Sequence, residues 1–221
     1  MASHAQIKKR IIGSYKGWVI RAYCYTRFLI LNMRILEEIE QYLPKNSRVL
    51  DVGCGFGLFS LYFLSCEKGR TLQSFDLNPN RIMLARESAE RLGLADRVRF
   101  ENCNAIDYEF KDQVDAVVML DLIHHIPRSA ASELIGHFYD TISENGVVVI
   151  KDIESKPWWK VAFTWILDKA MDPRSAVNYY SKEEMIEMLE RHGFDVKCHQ
   201  LVDILPYPHI LYICRKASAE T

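Results

Sequence analysis

At residues 48–57 the chain reads Arg-Val-Leu-Asp-Val-Gly-Cys-Gly-Phe-Gly: a short apolar strand, an acid at its end, and a turn with glycine at every second position. Such a turn lets backbone pass close to a small ligand. It also offers free N–H groups where a helix begins, a place that favours a carboxylate or similar anion. A dinucleotide turn would space its glycines G-x-G-x-x-G, the last one packing helix on strand. Here they run G-x-G-x-G through Gly53, Gly55 and Gly57, and a helix pattern follows through Leu61 and Leu64. The pyrophosphate reading loses ground, and the entrance of a nucleotide-like site remains.

The next two strand ends extend the pattern. Thr71–Phe75 reads as a strand that ends at Asp76, followed by the turn Leu77-Asn78-Pro79-Asn80. An acid about twenty residues past the glycines can accept two hydrogen bonds from a ribose diol. After the strand Val98-Arg99-Phe100 comes Cys103-Asn104-Ala105-Ile106-Asp107, where a chain could wrap an adenine. Three candidate sites thus fall at three consecutive strand ends.

Taken together and in order, VLDVGCGFG, SFDLNP, NAID and DAVVMLDLIHHIP make residues 45–152 resemble the class I S-adenosylmethionine-dependent methyltransferases of small-molecule type. The resemblance implies S-adenosyl-L-methionine as cofactor and S-adenosyl-L-homocysteine as product. It places Gly53, Gly55 and Gly57 along the methionine part, Asp51 near its ammonium group and Asp76 on the ribose hydroxyls. Asn104, Ala105 and Ile106 would border the adenine, with Leu77, Leu120 and Asp121 completing the cofactor set. The fold it implies is an α/β, doubly wound, mostly parallel seven-stranded sheet of Rossmann-like methyltransferase type.

The rest of the chain reads consistently with that fold. Strands are expected near 48–52, 71–75, 98–101, 114–120 and 146–152, with helices near 57–66, 79–92 and 129–143. Val147–Ile150 is an unalternating apolar run, as a parallel strand buried on both faces should be. Alternating β and α argue for a parallel sheet covered on both sides. A serine-capped helix from Ser181 to His192, closed by Gly193, precedes two strands near 195–202 and 209–215, which suit an antiparallel hairpin. Ahead of all this, helix signals run from Ile11 to Leu43 and stop at Pro44. The organisation expected is a basic, aromatic helical extension over 1–44 and a methyltransferase domain over 45–221, with residues 155–180 inserted as a substrate lid.

Charge is unevenly spread over the 221 residues: the formal net charge is −1, yet seven cations and no acid precede Glu37, so the first 36 residues carry +7 and the remainder −8. The balance argues against a general nucleic-acid binder. The basic segment suits peripheral contact with an anionic membrane surface or an anionic substrate. The six cysteines are scattered without metal-like spacing, pointing to reduced thiols and a cytoplasmic location, and neither a signal peptide nor a transmembrane span is expected.

Chemistry is expected after the fourth strand, in Leu120-Asp121-Leu122-Ile123-His124-His125. Methyl transfer to a hydroxyl or a protonated amine needs a base, and histidine, with a reference pKa near neutrality, suits that role at His124 or His125. The acceptor is expected to be hydrophobic or amphiphilic, lipid-like or carrier-bound. Its contacts should come from Trp18 and Tyr25 in the extension and from Trp158, Trp159, Trp165, Tyr179 and Tyr180 in the insertion, packed together over an apolar cavity. No metal is expected, because Asp152 and Glu154 follow the fifth strand without the Asp-Asn pair that metal-dependent catechol methylation uses. Two alternatives stay open: a catalytically silent scaffold or sensor that binds the same cofactor, and a methyltransferase acting on a protein or RNA. Acceptor atom and oligomeric state are not legible.

Overall fold

The structure is a computed structural model that describes residues 3–108, 112–171, 177–201 and 207–217. Along the chain run α1 (His4–Ser14), α2 (Trp18–Ile30), α3 (Met33–Tyr42), β1 (Arg48–Val52), α4 (Leu58–Cys66), β2 (Thr71–Asp76), α5 (Pro79–Leu92), β3 (Val98–Asn102) and β4 (Val114–Leu120). They are followed by α6 (Arg128–Thr141), β5 (Ile142–Ile153), α7 (Trp158–Met171), α8 (Lys182–Arg191), β6 (Phe194–Gln200) and β7 (His209–Lys216). The seven strands form one sheet in the order β3-β2-β1-β4-β5-β7-β6. Strands β1, β2 and β3 are mutually parallel, whereas β7 runs antiparallel to both β5 and β6, so the sheet is mixed. Residues 202–206, which include the expected end of β6, lie outside the described residues. The chain divides into two compact units, residues 1–109 with 114–116, and 110–113 with 117–221.

In the first unit the expected single helical stretch is three helices, and it begins earlier than Ile11. Ser3 opens α1 with a reciprocal cap: its hydroxyl accepts from Gln6 N at 3.3 Å, and its own N–H donates to Gln6 Oε1 at 2.8 Å. The first break comes at Gly17, whose φ of 87° no helix accommodates, and Arg21 takes the carbonyls of Tyr15 at 2.8 Å and Gly13 at 3.2 Å. The second comes at Asn32, whose side chain caps α3 by accepting from Arg34 N and Ile35 N. Apolar spacing close to a helical repeat persisted through both breaks, which is why periodicity alone ran them together. Ile11, Leu36, Ile39, Leu61 and Leu64 have no exposed surface, and every residue from Leu58 to Leu64 of α4 is buried. Arg70 is buried as well; its guanidinium donates to Glu40 Oε2 at 2.8 Å and to the carbonyls of Phe63, Leu43 and Pro44.

The second unit is built on β5, which pairs Val148 with Cys214 and Asp152 with Ile210 of β7. Val147 to Ile150 are wholly buried, as their unbroken apolar run requires. Ser181 and Glu184 cap α8 reciprocally, at 3.2 and 2.8 Å. The segment 155–180 leaves and returns at one point: Glu154 bridges Tyr180, and Ser155 N donates to Tyr180 O at 3.0 Å. The four tryptophans, expected as acceptor contacts, are all exposed. Trp18 is 80%, Trp158 78%, Trp159 51% and Trp165 49% exposed. Helical spacing brought them onto the outer faces of α2 and α7, and apolar character alone did not say which face.

Candidate active site

The turn after β1 is held residue by residue. Gly53 N and Cys54 N both donate to the Phe75 carbonyl, at 2.9 and 3.0 Å; Gly55 N donates to Asp76 Oδ2 at 2.9 Å; Gly57 N donates to Cys54 O at 2.9 Å. Positive φ at Gly53, Gly55 and Gly57 (75°, 56° and 74°) explains the alternate glycines, since L side chains are strained there. Two of them differ in their surroundings. A Cβ on Gly57 would meet the Phe100 ring at 2.8 Å and Ala85 Cβ at 2.9 Å, while nothing lies within 4 Å of one on Gly55. Gly57 therefore serves close packing, and Gly55 borders open space.

Asp76 is 8% exposed; its Oδ1 accepts from Asn78 N at 2.9 Å and its Oδ2 from Gly55 N, leaving each oxygen a further lone pair. Asn102 steadies this strand end by donating to the carbonyls of Asp76 at 2.9 Å and Leu77 at 2.8 Å. The Leu77 side chain is exposed, as is that of Ile106 in the turn 105–107, where Asn104 Oδ1 accepts from Ile106 N at 3.3 Å. Beneath the glycine turn lies Asp51, buried, with the Ser60 hydroxyl donating to its Oδ2. Burial pushes its carboxyl up to about 7; the Ser60 bond opposes the rise and the charge on Asp76 adds to it. Burial likewise pushes the Cys54 thiol well above its usual range, which disfavours its thiolate form.

In the second unit, Asp152 at the end of β5 receives His124 twice. Its Oδ1 pairs with His124 Nδ1, and its Oδ2 accepts from His124 N at 3.2 Å. An ionised carboxylate only accepts, so Nδ1 carries the proton and Nε2 the lone pair. The imidazole is 2% exposed, with the His125 ring centroid at 4.0 Å and that of Tyr179 at 5.6 Å. One residue back, buried Lys151 pairs with Asp121, whose N–H donates to Lys151 O at 2.9 Å and whose φ of 53° is unusual for a residue with a side chain. Leu120, just before it, is buried at the end of β4. Tyr180 is buried, its hydroxyl has no hydrogen-bond partner among the described residues, and its ring lies 4.6 Å from the Arg128 guanidinium.

Comparison with known proteins places this geometry. The chain matches the family described as methyltransferase domain over residues 21–199. It belongs to that family. Among curated proteins, the methyltransferase domain is 30% identical over 113 residues to erythromycin 3''-O-methyltransferase of Saccharopolyspora erythraea, covering 50% of this chain and 36% of that protein. It is 28% identical over 121 residues to the mitochondrial ubiquinone biosynthesis O-methyltransferase of Saccharomyces cerevisiae, covering 53% and 38%. The chain thus spans well under half the length of these two relatives. An O-methyltransferase family protein from Burkholderia thailandensis shares the fold, with a TM-score of 0.72 and 20% identity over 91% of this chain and 61% of that one.

Membership implies S-adenosylmethionine as cofactor, and the residues around the turn fit it. A buried carboxyl with a raised pKa and a second carboxylate close by make an environment that a cationic ligand group relieves, and Gly55 faces space for one. Sequence reasoning missed Ser60, Asn102, Lys151 and the pairing role of Asp152. Of these only Asp152 left a signal, an acid at the end of an apolar strand like Asp51 and Asp76.

Two measurements test this reading of the methyltransferase domain. Gly57→Ala should lower unfolding free energy by roughly 2–4 kcal/mol, from strain plus overpacking, and Gly55→Ala by only about 1–2 kcal/mol; equal losses in urea titrations would contradict the packing assignment. Asp51 has its proton held more tightly in the folded chain, so the stability it contributes is full below about pH 4 and is lost as pH rises through about 7. In the absence of ligand, Asp51→Asn should therefore melt with a smaller loss between pH 5 and pH 8 than the parent; identical pH dependence would remove the assignment.

Proposed function

We propose that this protein transfers a methyl group from S-adenosylmethionine to a hydroxyl of a hydrophobic or amphiphilic small molecule. The observation that carries the reading is the buried pairing of His124 with Asp152. Bound S-adenosylmethionine supplies an electrophilic methyl group. In this reading Asp76 accepts the ribose hydroxyls, Asp51 faces the ammonium group, and Leu77 and Ile106 cover the adenine faces. Gly53 and Gly55, with Leu120 and Asp121, border the rest of the cofactor. His124 Nε2 takes the acceptor's proton as the methyl bond forms, and Asp152 holds the ring in the required tautomer and balances the imidazolium. Water exclusion around that ring limits competing reactions. His125 and Tyr179 flank the base, and the unsatisfied Tyr180 hydroxyl suits a polar atom of the acceptor. The O-methyltransferases among the relatives support a hydroxyl over other acceptor atoms.

Peripheral contact with an anionic membrane belongs to the same reading. No described helix is long and apolar enough to cross a membrane. Along α2, however, Trp18, Tyr25 and Leu29 are exposed at helical spacing, Trp18 and Tyr25 line a shallow cavity with Lys16 and Arg21, and the segment carries no acid before Glu37. An aromatic stripe set among cations suits the headgroup region of an anionic bilayer. The exposed Trp158, Trp159 and Trp165 of α7 are retained as acceptor contacts.

Purified protein should move label from methyl-labelled cofactor into a component of a lipid or polar extract. With that acceptor, His124→Ala should lower kcat by roughly 10²–10⁴-fold while cofactor affinity stays close to the parent's. Asp152→Asn should slow the same step, and rates unchanged in both variants would discard the base assignment. Separately, the protein should float with phosphatidylglycerol vesicles and much less with phosphatidylcholine vesicles, and a Trp18→Ser, Leu29→Ser variant should stay behind. Equal recovery with both lipids would remove the membrane contact.

A further inference from the structure

The turn from Gly53 to Gly57 is also held from outside its own strands. The Tyr15 hydroxyl donates to the Phe56 carbonyl at 2.6 Å, and the Phe56 ring sits beside the Tyr23 ring, centroids 4.9 Å apart, with the Arg81 guanidinium 5.5 Å from its centre. Tyr15 precedes residue 21, where the family match starts, so this contact comes from a part of the chain that the match leaves out. We propose that Tyr15 is a positioning residue of the cofactor site, fixing the Phe56–Gly57 peptide and with it the direction of the N–H groups that open α4. This inference rests on the reading of the turn as the S-adenosylmethionine site.

Three observations support a rigid, purpose-fitted donor. Tyr15 is 1% exposed, and burial pushes its phenol far above the usual range, so the hydroxyl keeps its proton and can always donate. Its own backbone is anchored: Arg21 Nε takes its carbonyl at 2.8 Å, Arg91 takes the Ser14 carbonyl at 2.6 Å, and the Ser14 and Ser88 hydroxyls are bonded to each other. Every other residue of the turn is already held, Gly53 and Cys54 by Phe75 O, Gly55 by Asp76 and Gly57 by Cys54 O. The Phe56–Gly57 peptide is held at its N–H end by Cys54 O and at its carbonyl end by Tyr15, and with Gly57 on one side it has less steric resistance to rotation once either hold is lost. A binding loop held in its bound form loses less entropy when the ligand arrives, which raises affinity without a new ligand contact. A purely structural Tyr15 would instead change the stability of the ligand-free chain and leave affinity alone.

The full-length chain and its Tyr15→Phe variant distinguish these cases. Calorimetric titration with S-adenosylmethionine and with S-adenosylhomocysteine should give affinities about three- to tenfold weaker for Tyr15→Phe, the loss of one buried hydrogen bond. Hydrogen exchange at Gly55, Phe56 and Gly57 should be faster in the ligand-free variant and return to parental rates when ligand is saturating. Tyr23→Leu, which keeps the hydroxyl and removes the ring beside Phe56, should weaken both ligands in the same direction. Parental affinity and parental exchange in Tyr15→Phe, with only a lower melting temperature, would overturn the proposal. If the unmodified chain binds neither ligand, the cofactor reading itself fails, and the wild-type titration separates that result from a failure of Tyr15 alone.

Discussion

A single carbonyl, that of Phe75 at the end of β2, receives two successive N–H groups from the turn that follows β1. This pins a glycine-rich loop onto the neighbouring strand and brings the Gly55 amide to the Asp76 carboxylate. Because the loop is drawn back so tightly, three of its five residues adopt positive φ and must be glycine. The same contraction closes over Asp51, which loses its water and is left beside a second acid. Two carboxyl groups in so little solvent do not both ionise readily. Asp51 accordingly holds its proton up to about pH 7.

The parts of the fold that sequence revealed are those where one physical constraint acts alone. Val147–Ile150 cannot be anything but a strand buried on two faces, and the glycine turn cannot be built from other residues. The N-terminal helices were less legible because two signals competed: apolar spacing ran on while Gly17 and the capping side chain of Asn32 interrupted it. The tryptophans were legible as a group but not in orientation, since which side of a helix faces solvent depends on partners far off in sequence. The His124–Asp152 pair lay outside local reasoning altogether. Its two members are separated by 28 positions and are joined only by the fold.

Sheet order and motif spacing establish a family, but they do not identify an acceptor. The structural likeness at 20% identity speaks to architecture, and the curated relatives align with this chain over only part of their own length. What distinguishes one member from another must come from side chains that the sheet does not dictate. Among the described residues such side chains include Tyr15 ahead of the matched region, the buried Tyr180, and the exposed aromatic residues of α2 and α7.

The segment that carries α7 leaves and rejoins the fold at a seam where Glu154 and Ser155 meet Tyr180, with Asn178 N donating to His124 O close by. A closed seam means that material between its lips can lengthen, shorten or change composition while the strands on either side keep their register, and closing a longer loop costs little more than closing a shorter one. Changes of length or composition within that segment can therefore accumulate while β5 and the start of α8 stay where the strand register puts them.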